Sequence, residues 1–335
     1  MQDVETVGPF HSQNTIAGPE PAAEHETQDE CESAASHHFL KFAHGQSLTQ
    51  TGQIASIACS GSLPSTCSEC VIFSLFAELQ NMNQPNIDFS GRVALVTGGS
   101  RGIGRACCKR LAECGADVAV NYRANEEAAQ ESAAAVEQAG ARSIIVQADV
   151  ADADAAGHMV SKVEDHLGPI DLLVNNAGIF DVGSHKDITA DLWQQTIDCN
   201  LTGTYHVTWA VKDGMINRGF GRIVNIASIA ALAARPHAIA YSVSKAGMIA
   251  LTQSLSSAIA AHGIRVNAVA PGLIDTEILN DTDPTLLDNL IKDTPMGRMG
   301  QPDEVADTVL FLLSELSRFT TGQTVVCSGG RVLLP

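Results

Sequence analysis

Basic residues are scarce in this chain. Twenty lysines and arginines stand against 38 aspartates and glutamates in 335 residues, a formal charge of −18. Neither nucleic acid nor an anionic membrane surface attracts so acidic a protein, which excludes both as partners. No apolar run approaches the ~20 residues of a membrane-spanning helix. The N-terminus carries Asp3 and Glu5 where a leader would be basic or arginine-rich, so no targeting signal is legible and a cytoplasmic location is expected. Repeating cysteine spacing is missing as well. The nine cysteines are odd in number, leaving at least one thiol unpaired, and Cys67 and Cys70 form a single CxxC with no second pair. His37-His38 lies far upstream of it. Reduced thiols fit this pattern better than a zinc or disulfide framework, and no metal site is expected.

The acidity is uneven. Residues 1–81 hold ten acids against Lys41 alone, a local charge of −9 and half of the total. They are rich in Ser, Thr, Gln, Glu and His, lack sustained periodicity, and are broken at Gly8-Pro9 and Gly18-Pro19. A disordered acidic extension is expected there, with one short amphipathic helix over Val71–Leu79. Met82 precedes the first convincing strand, and residues 82–335 are expected to be a single domain and the complete functional unit.

From Phe89 the pattern becomes strands alternating with helices. Strands are expected at Val93–Thr97, Asp117–Tyr122, Ser143–Ala148, Ile170–Asn175, Arg222–Ala227, Ile264–Ala270 and Gln323–Cys327. Helices fill the gaps, including one long helical region over Ala190–Asn217 and another over Ala238–Ala261. Several strands are apolar without alternation, which means a parallel sheet covered on both faces. Right-handed crossovers make it a doubly wound α/β sheet of Rossmann type, with about seven strands and ligands at their carboxyl ends.

The stretch Thr97-Gly98-Gly99-Ser100-Arg101-Gly102-Ile103-Gly104 follows the first strand and opens a helix. Glycines allow a sharp turn and close approach to a pyrophosphate, and the helix N-terminus offers free N–H donors. An acid ending the second strand would hold the ribose 2′-hydroxyl of NAD. Here that strand ends Asn121-Tyr122-Arg123, so Arg123 with Arg101 suits a 2′-phosphate, and NADPH is expected over NADH. The competing reading leaves both arginines as solvated surface charges. Asp149, followed by Val150 at the end of the third strand, either reaches the adenine or caps the next helix.

Tyr241 and Lys245 lie four apart on one helix face. A neighbouring cation favours the phenolate and would draw the tyrosine down from its free pKa of about 10 towards proton transfer. Chance also places such pairs on helix surfaces, so the pair needs company. That company is Asn175-Asn176-Ala177-Gly178 after the fourth strand, Ser228 after the fifth, Asn200 in the long helix, Pro271-Gly272 after the sixth, and PMGRMGQPDEVA further on.

Together these motifs resemble the short-chain dehydrogenase/reductase family, and most closely its β-ketoacyl-acyl-carrier-protein reductase-like branch. The resemblance runs from about Phe89 to the C-terminus. It implies that Tyr241 is the general acid, that Lys245 tunes it and bonds the nicotinamide ribose, and that Ser228 polarises the substrate carbonyl. It further implies that Asn200 keeps a water linking Lys245 to solvent, that Asn176 and its neighbours line the cofactor, and that Ile274 and Thr276 lie near the carboxamide and phosphates. The expected activity is NADPH-dependent reduction of a ketone or 3-oxoacyl thioester by a homotetramer. An alcohol, sugar or steroid dehydrogenase and a catalytically silent cofactor-binding protein are the alternatives. Ser228 capping a turn and Asn200 sitting on a helix surface are the plainer readings of those two residues.

Two departures from the family pattern stand out: Ser328 replaces the aspartate common before Gly329-Gly330, and the acidic extension has no counterpart. Substrate choice is expected to lie in the loop from Gly272 to Pro295, which carries Asp275, Glu277, Asp281, Asp283, Asp288 and Asp293. An acidic carrier protein would need a basic patch near that entrance, for which Arg218, Arg222 and Arg235 are the candidates.

Overall fold

The computed structural model describes residues 87–279 and 283–333. The acidic stretch 1–81, the helix expected within it, the CxxC and Asp281 lie outside the described residues. Seven strands, β1 Val93–Val96, β2 Asp117–Tyr122, β3 Ser143–Gln147, β4 Ile170–Asn175, β5 Gly221–Ile226, β6 Ile264–Pro271 and β7 Thr324–Cys327, form one sheet. Their order is β3-β2-β1-β4-β5-β6-β7, and every pairing is parallel. The expected doubly wound sheet is thus observed, with strand ends shifted by at most one residue from expectation.

Alternate side chains explain why β1 is apolar throughout. Ala94 and Val96 of β1 pack into one apolar layer, and Val93 and Leu95 into the other. The first layer is closed by α1 Gly102–Glu113, α2 Glu126–Gln138 and α8 Pro302–Leu313; the second by α3 Ala153–Leu167, α5 Gly203–Arg218 and α6 Ile239–Ile259. Each fully buried Leu or Ile in these layers contributes about 1.5–3 kcal/mol. No described helix is long and apolar enough to cross a membrane.

The long helical region is not one α-helix. After α4 Ala190–Ile197 the backbone widens into a π-turn over Asp198–Thr202 before α5 continues. Gly247 of α6 lets this turn come close: a Cβ there would stand 2.7 Å from Leu201 Cδ2. The remaining helix, α7 Pro284–Lys292, interrupts the loop after β6.

Two of the three candidate docking arginines are structural, at the opposite pole of the sheet from the strand carboxyl ends. Arg222 opens β5, is 8 % exposed, lies over the Phe220 ring, and donates to the carbonyls of Gly221 and Gly263. Arg218 donates to the Ile170 carbonyl at the start of β4. Beside them, buried Arg265 donates to the carbonyls of Leu312, Leu313 and Ser314, sharing with Ser317 Oγ the capping of the end of α8. Burial, aided by Arg222, holds the Arg265 pKa down at about 10. Composition marks an arginine as a docking candidate; only the sheet's polarity shows which end it occupies.

Candidate active site

The order of the sheet reverses between β1 and β4, and a crevice opens at the carboxyl ends of these strands. Its floor is the glycine turn. Gly98 and Gly102 have φ of +61° and +53°, a region that disfavours side chains. A Cβ on Gly104 would stand 2.2 Å from the Gly98 carbonyl oxygen, so α1 can press on the turn only with glycine there. The turn is braced from below. Thr97 Oγ1 accepts from the backbone N–H groups of Asn176 and Ala177 at 3.0 Å each, and Asn176 Nδ2 donates to the carbonyls of Thr97 and Gly98.

The first turn of α1 is chemically open. Asn125, Asp152, Thr189 and Asp283 cap the N-termini of α2, α3, α4 and α7, but α1 has no side-chain cap and no acid in its first turn. Its N–H donors and positive end therefore suit a phosphate. At the end of β2, Asn121 Oδ1 accepts from Gly98 N–H at 3.2 Å, and its amide group donates to the carbonyls of Val146 and Ala148. No carboxylate stands at this strand end, and exposed Arg123 follows it. These features fit a dinucleotide.

The groove brings together most of the expected cofactor residues: Gly98, Ser100, Arg101, Gly102 and Ile103; Tyr122 and Arg123; Asp149 and Val150; Asn176, Ala177 and Gly178; and Thr276. Thr97 and Gly104 shape the glycine turn beneath it, while Pro271, Gly272, Tyr241 and Lys245 do not line it. Asp149 does not cap α3, since Asp152 does; it accepts from Ala151 N–H and lines the groove. The side chain of Ile274 does not line the groove. It is 7 % exposed and turned into the core, because its backbone bridges Gly300 and only that glycine leaves space for it. Asn121, Cys199 and Glu277 also line the groove. Each adjoins an expected site residue in sequence, Asn121 beside Tyr122, Cys199 beside Asn200 and Glu277 beside Thr276.

The chemical end of the crevice is built by β5, the π-turn and α6. Ser228 follows β5, and its Oγ accepts from Ala230 N–H at 3.1 Å, so it does cap the short turn Ile229–Ala231. Tyr241 is half-buried, its ring edge-to-face with Phe180 at 4.8 Å between centroids. Burial raises the Tyr241 pKa above its ordinary value, and the Ser228 hydroxyl pulls the other way. Lys245 is 3 % exposed and donates to the Ile226 carbonyl at 2.6 Å. Burial lowers its pKa to about 8. The ammonium points to Ile226 and lies 5.8 Å from the Tyr241 ring centroid. At neutral pH the phenol keeps its proton, the form an acid needs.

Asn200 is fully buried in the π-turn, not on a helix surface. Its Oδ1 accepts from Ile179 N–H at 2.8 Å, while Nδ2 donates to the Ile179 carbonyl and Ser244 Oγ at 3.0 Å each. Ser244 Oγ in turn donates to the Tyr241 carbonyl at 2.7 Å. One amide thus joins the strand end after β4 to the helix turn bearing Tyr241 and Lys245. At the C-terminal turn, Ser328 Oγ accepts from Val332 N–H at 3.3 Å, supplying the acceptor that an aspartate there would offer.

An open parallel sheet with a glycine turn at its switch point, beside a Ser-Tyr-Lys-Asn cluster, defines an oxidoreductase acting on carbonyl or hydroxyl groups. The family described as Enoyl-(Acyl carrier protein) reductase matches residues 98–331. The chain belongs to the short-chain dehydrogenase/reductase family. An acetoacetyl-CoA reductase of Rhizobium meliloti (strain 1021) is 43% identical over 241 residues, covering 72% of this chain and 98% of the relative. The 3-oxoacyl-[acyl-carrier-protein] reductase FabG of Staphylococcus aureus (strain Mu50) is 38% identical over 237 residues, covering 71% and 96%. Among solved structures, a chain described as a gluconate dehydrogenase from Agrobacterium tumefaciens superposes with a TM-score of 0.71 at 32% identity, covering 75% of this chain and all of its own.

Proposed function

We propose that this protein is an NADPH-dependent reductase of short 3-oxoacyl thioesters. The observation that carries the reading is the convergence of Ser228, Tyr241, Lys245 and Asn200 at the end of β5, beside a groove shaped for a dinucleotide. The nicotinamide supplies the hydride when bound. Tyr241 holds the proton that the carbonyl oxygen takes up, and Ser228 offers a second donor to the developing alkoxide. Lys245 places a positive charge behind the phenol as that proton leaves. Asn200 fixes Ile179 and the Tyr241 turn in register, so the donors are aligned before substrate arrives.

Arg101 and Arg123 beside a strand end without a carboxylate support NADPH. Names of similar proteins support a thioester, and they cover both coenzyme A and carrier-protein forms. Arg218 and Arg222 lie at the far pole, which leaves Arg235 of the three candidates for docking an acidic carrier protein. In an NADPH-oxidation assay, acetoacetyl-coenzyme A should be reduced at least about tenfold more efficiently than simple ketones, sugars or steroids, a difference of ~1.4 kcal/mol. NADPH should exceed NADH by a similar factor. Equal efficiency with the two cofactors, or turnover of only sugars or steroids, would sink the corresponding half of the reading.

A homotetramer accounts for apolar surface left uncovered on one chain. Trp193 of α4 with Tyr205 and Trp209 of α5 are each more than a third exposed, and Phe319 is fully exposed near the free edge of β7. Light scattering should give about four times the 35.2 kDa of the chain; a monomer mass at micromolar concentration would overturn this.

A further inference from the structure

Glu277 is an acid inside a groove suited to a polyanion, and its charge is answered by one residue. Its Oε2 accepts from Arg101 Nη1 at 3.0 Å, which ties the short turn Glu277–Leu279 after β6 to the glycine turn before α1. The two strands' loops are already in contact there. A Cβ on Gly102 would stand 3.3 Å from Thr276 Cγ2, and Asp275 N–H donates to the Gly300 carbonyl at 2.8 Å, fixing the approach of the loop. Among the described residues, neither Arg101 nor Glu277 has another ion pair or side-chain hydrogen bond. Their side chains are 63% and 56% exposed, so water can replace either partner and the pair opens at little cost.

Arg101 therefore has two possible anions, the Glu277 carboxylate and a ligand phosphate. A phosphate monoester carries more charge and offers three acceptor oxygens to the guanidinium fork, so it wins when present. A ribose 2′-hydroxyl has no charge with which to compete. We propose that Glu277 is a specificity-determining residue for the cofactor: its carboxylate occupies Arg101 and is displaced by the 2′-phosphate of NADPH but not by NADH. This rests on the NADPH reading and adds an internal competitor to it. Binding of the phosphorylated cofactor thereby frees the turn Glu277–Leu279 from the glycine turn. By linkage, whatever holds that turn on Arg101 weakens NADPH by the same factor.

The test is a titration of protein fluorescence with NADPH and with NADH, in the wild type, Glu277→Gln, Arg101→Gln and the double variant. Removing the competitor should tighten NADPH about three- to fivefold, the upper part of the range that an exposed ion pair spans. NADH should change by less than about 1.5-fold on the same grounds. In the Arg101→Gln background, Glu277→Gln should no longer distinguish the two cofactors. Unchanged NADPH affinity, weaker NADPH affinity, or an equal gain for both dinucleotides each overturns the competition. If wild-type protein binds NADPH more tightly than NADH in those cases, the NADPH reading survives the loss of the inference. A wild type that binds NADH as tightly removes the reading itself.

Discussion

Replacing Tyr241 by phenylalanine should lower kcat by about 10³-fold, within the range that a positioned proton donor contributes. The substitution removes one oxygen and little else. Phenylalanine keeps the edge-to-face contact with Phe180, and the Ser244 bond to the residue 241 carbonyl is a backbone bond that the change does not touch. The phenol does not line the dinucleotide groove, so NADPH affinity should stay within about twofold, under 0.5 kcal/mol. Steady-state rates and a fluorescence titration on the same preparation separate the two effects. Residual turnover above a tenth of wild type would remove Tyr241 from the proton-donor role, and a matching loss of cofactor affinity would mean that the groove had been disturbed instead.

Lys245→Met should abolish most turnover while making the protein more stable at neutral pH. Lys245 is buried, and its folded pKa of about 8 lies below the 10.5 of an exposed lysine. Below pH 8 both states carry the proton, and the folded state bears the full cost of the buried charge. Between about 8 and 10.5 the unfolded chain binds more protons, so wild-type stability from this group rises with pH through that window. The cost below pH 8 is on the order of 3 kcal/mol, offset by about 1 kcal/mol for the bond to the Ile226 carbonyl. Methionine should therefore gain about 2 kcal/mol at pH 7 and lose the advantage by pH 10. Denaturant melts at several pH values measure it. A variant less stable than wild type at pH 7, or a gain that does not shrink with pH, would show that the lysine is held by compensating contacts.

The sheet was legible because burial on both faces leaves a simple signature, apolar runs such as Ile170–Asn175 between amphipathic helices. The glycine turn was legible because the backbone itself demands glycine at Gly98, Gly102 and Gly104. What could not be read depends on which way a side chain turns. Ile274 and Thr276 stand two apart in one loop, yet only Thr276 meets the groove, because the loop is pinned to Gly300. The π-turn at Asp198–Thr202 leaves no periodicity to detect over five residues, so Asn200 could be named but its grip on Ile179 and Ser244 could not. The direction of the Tyr241 shift depends on packing in the same way. Spacing places a cation nearby, whereas burial, which decides the direction of the shift, is a property of the packed site.

The crevice between β1 and β4 also bears on how the chain reaches its native state. Val174 of β4 accepts a hydrogen bond from Thr97 across 77 positions of sequence, and every contact through this seam spans a comparable length of chain. Closing a loop of this length carries an entropic cost, and non-local pairings of this kind slow folding. The two halves of the sheet can each gather locally, but the groove does not exist until they meet. A dinucleotide lying across the seam would bind only the joined form, and by mass action it would hold the last assembly step closed. Cofactor supply would then help decide how much of the newly made chain persists, as well as how fast it turns over.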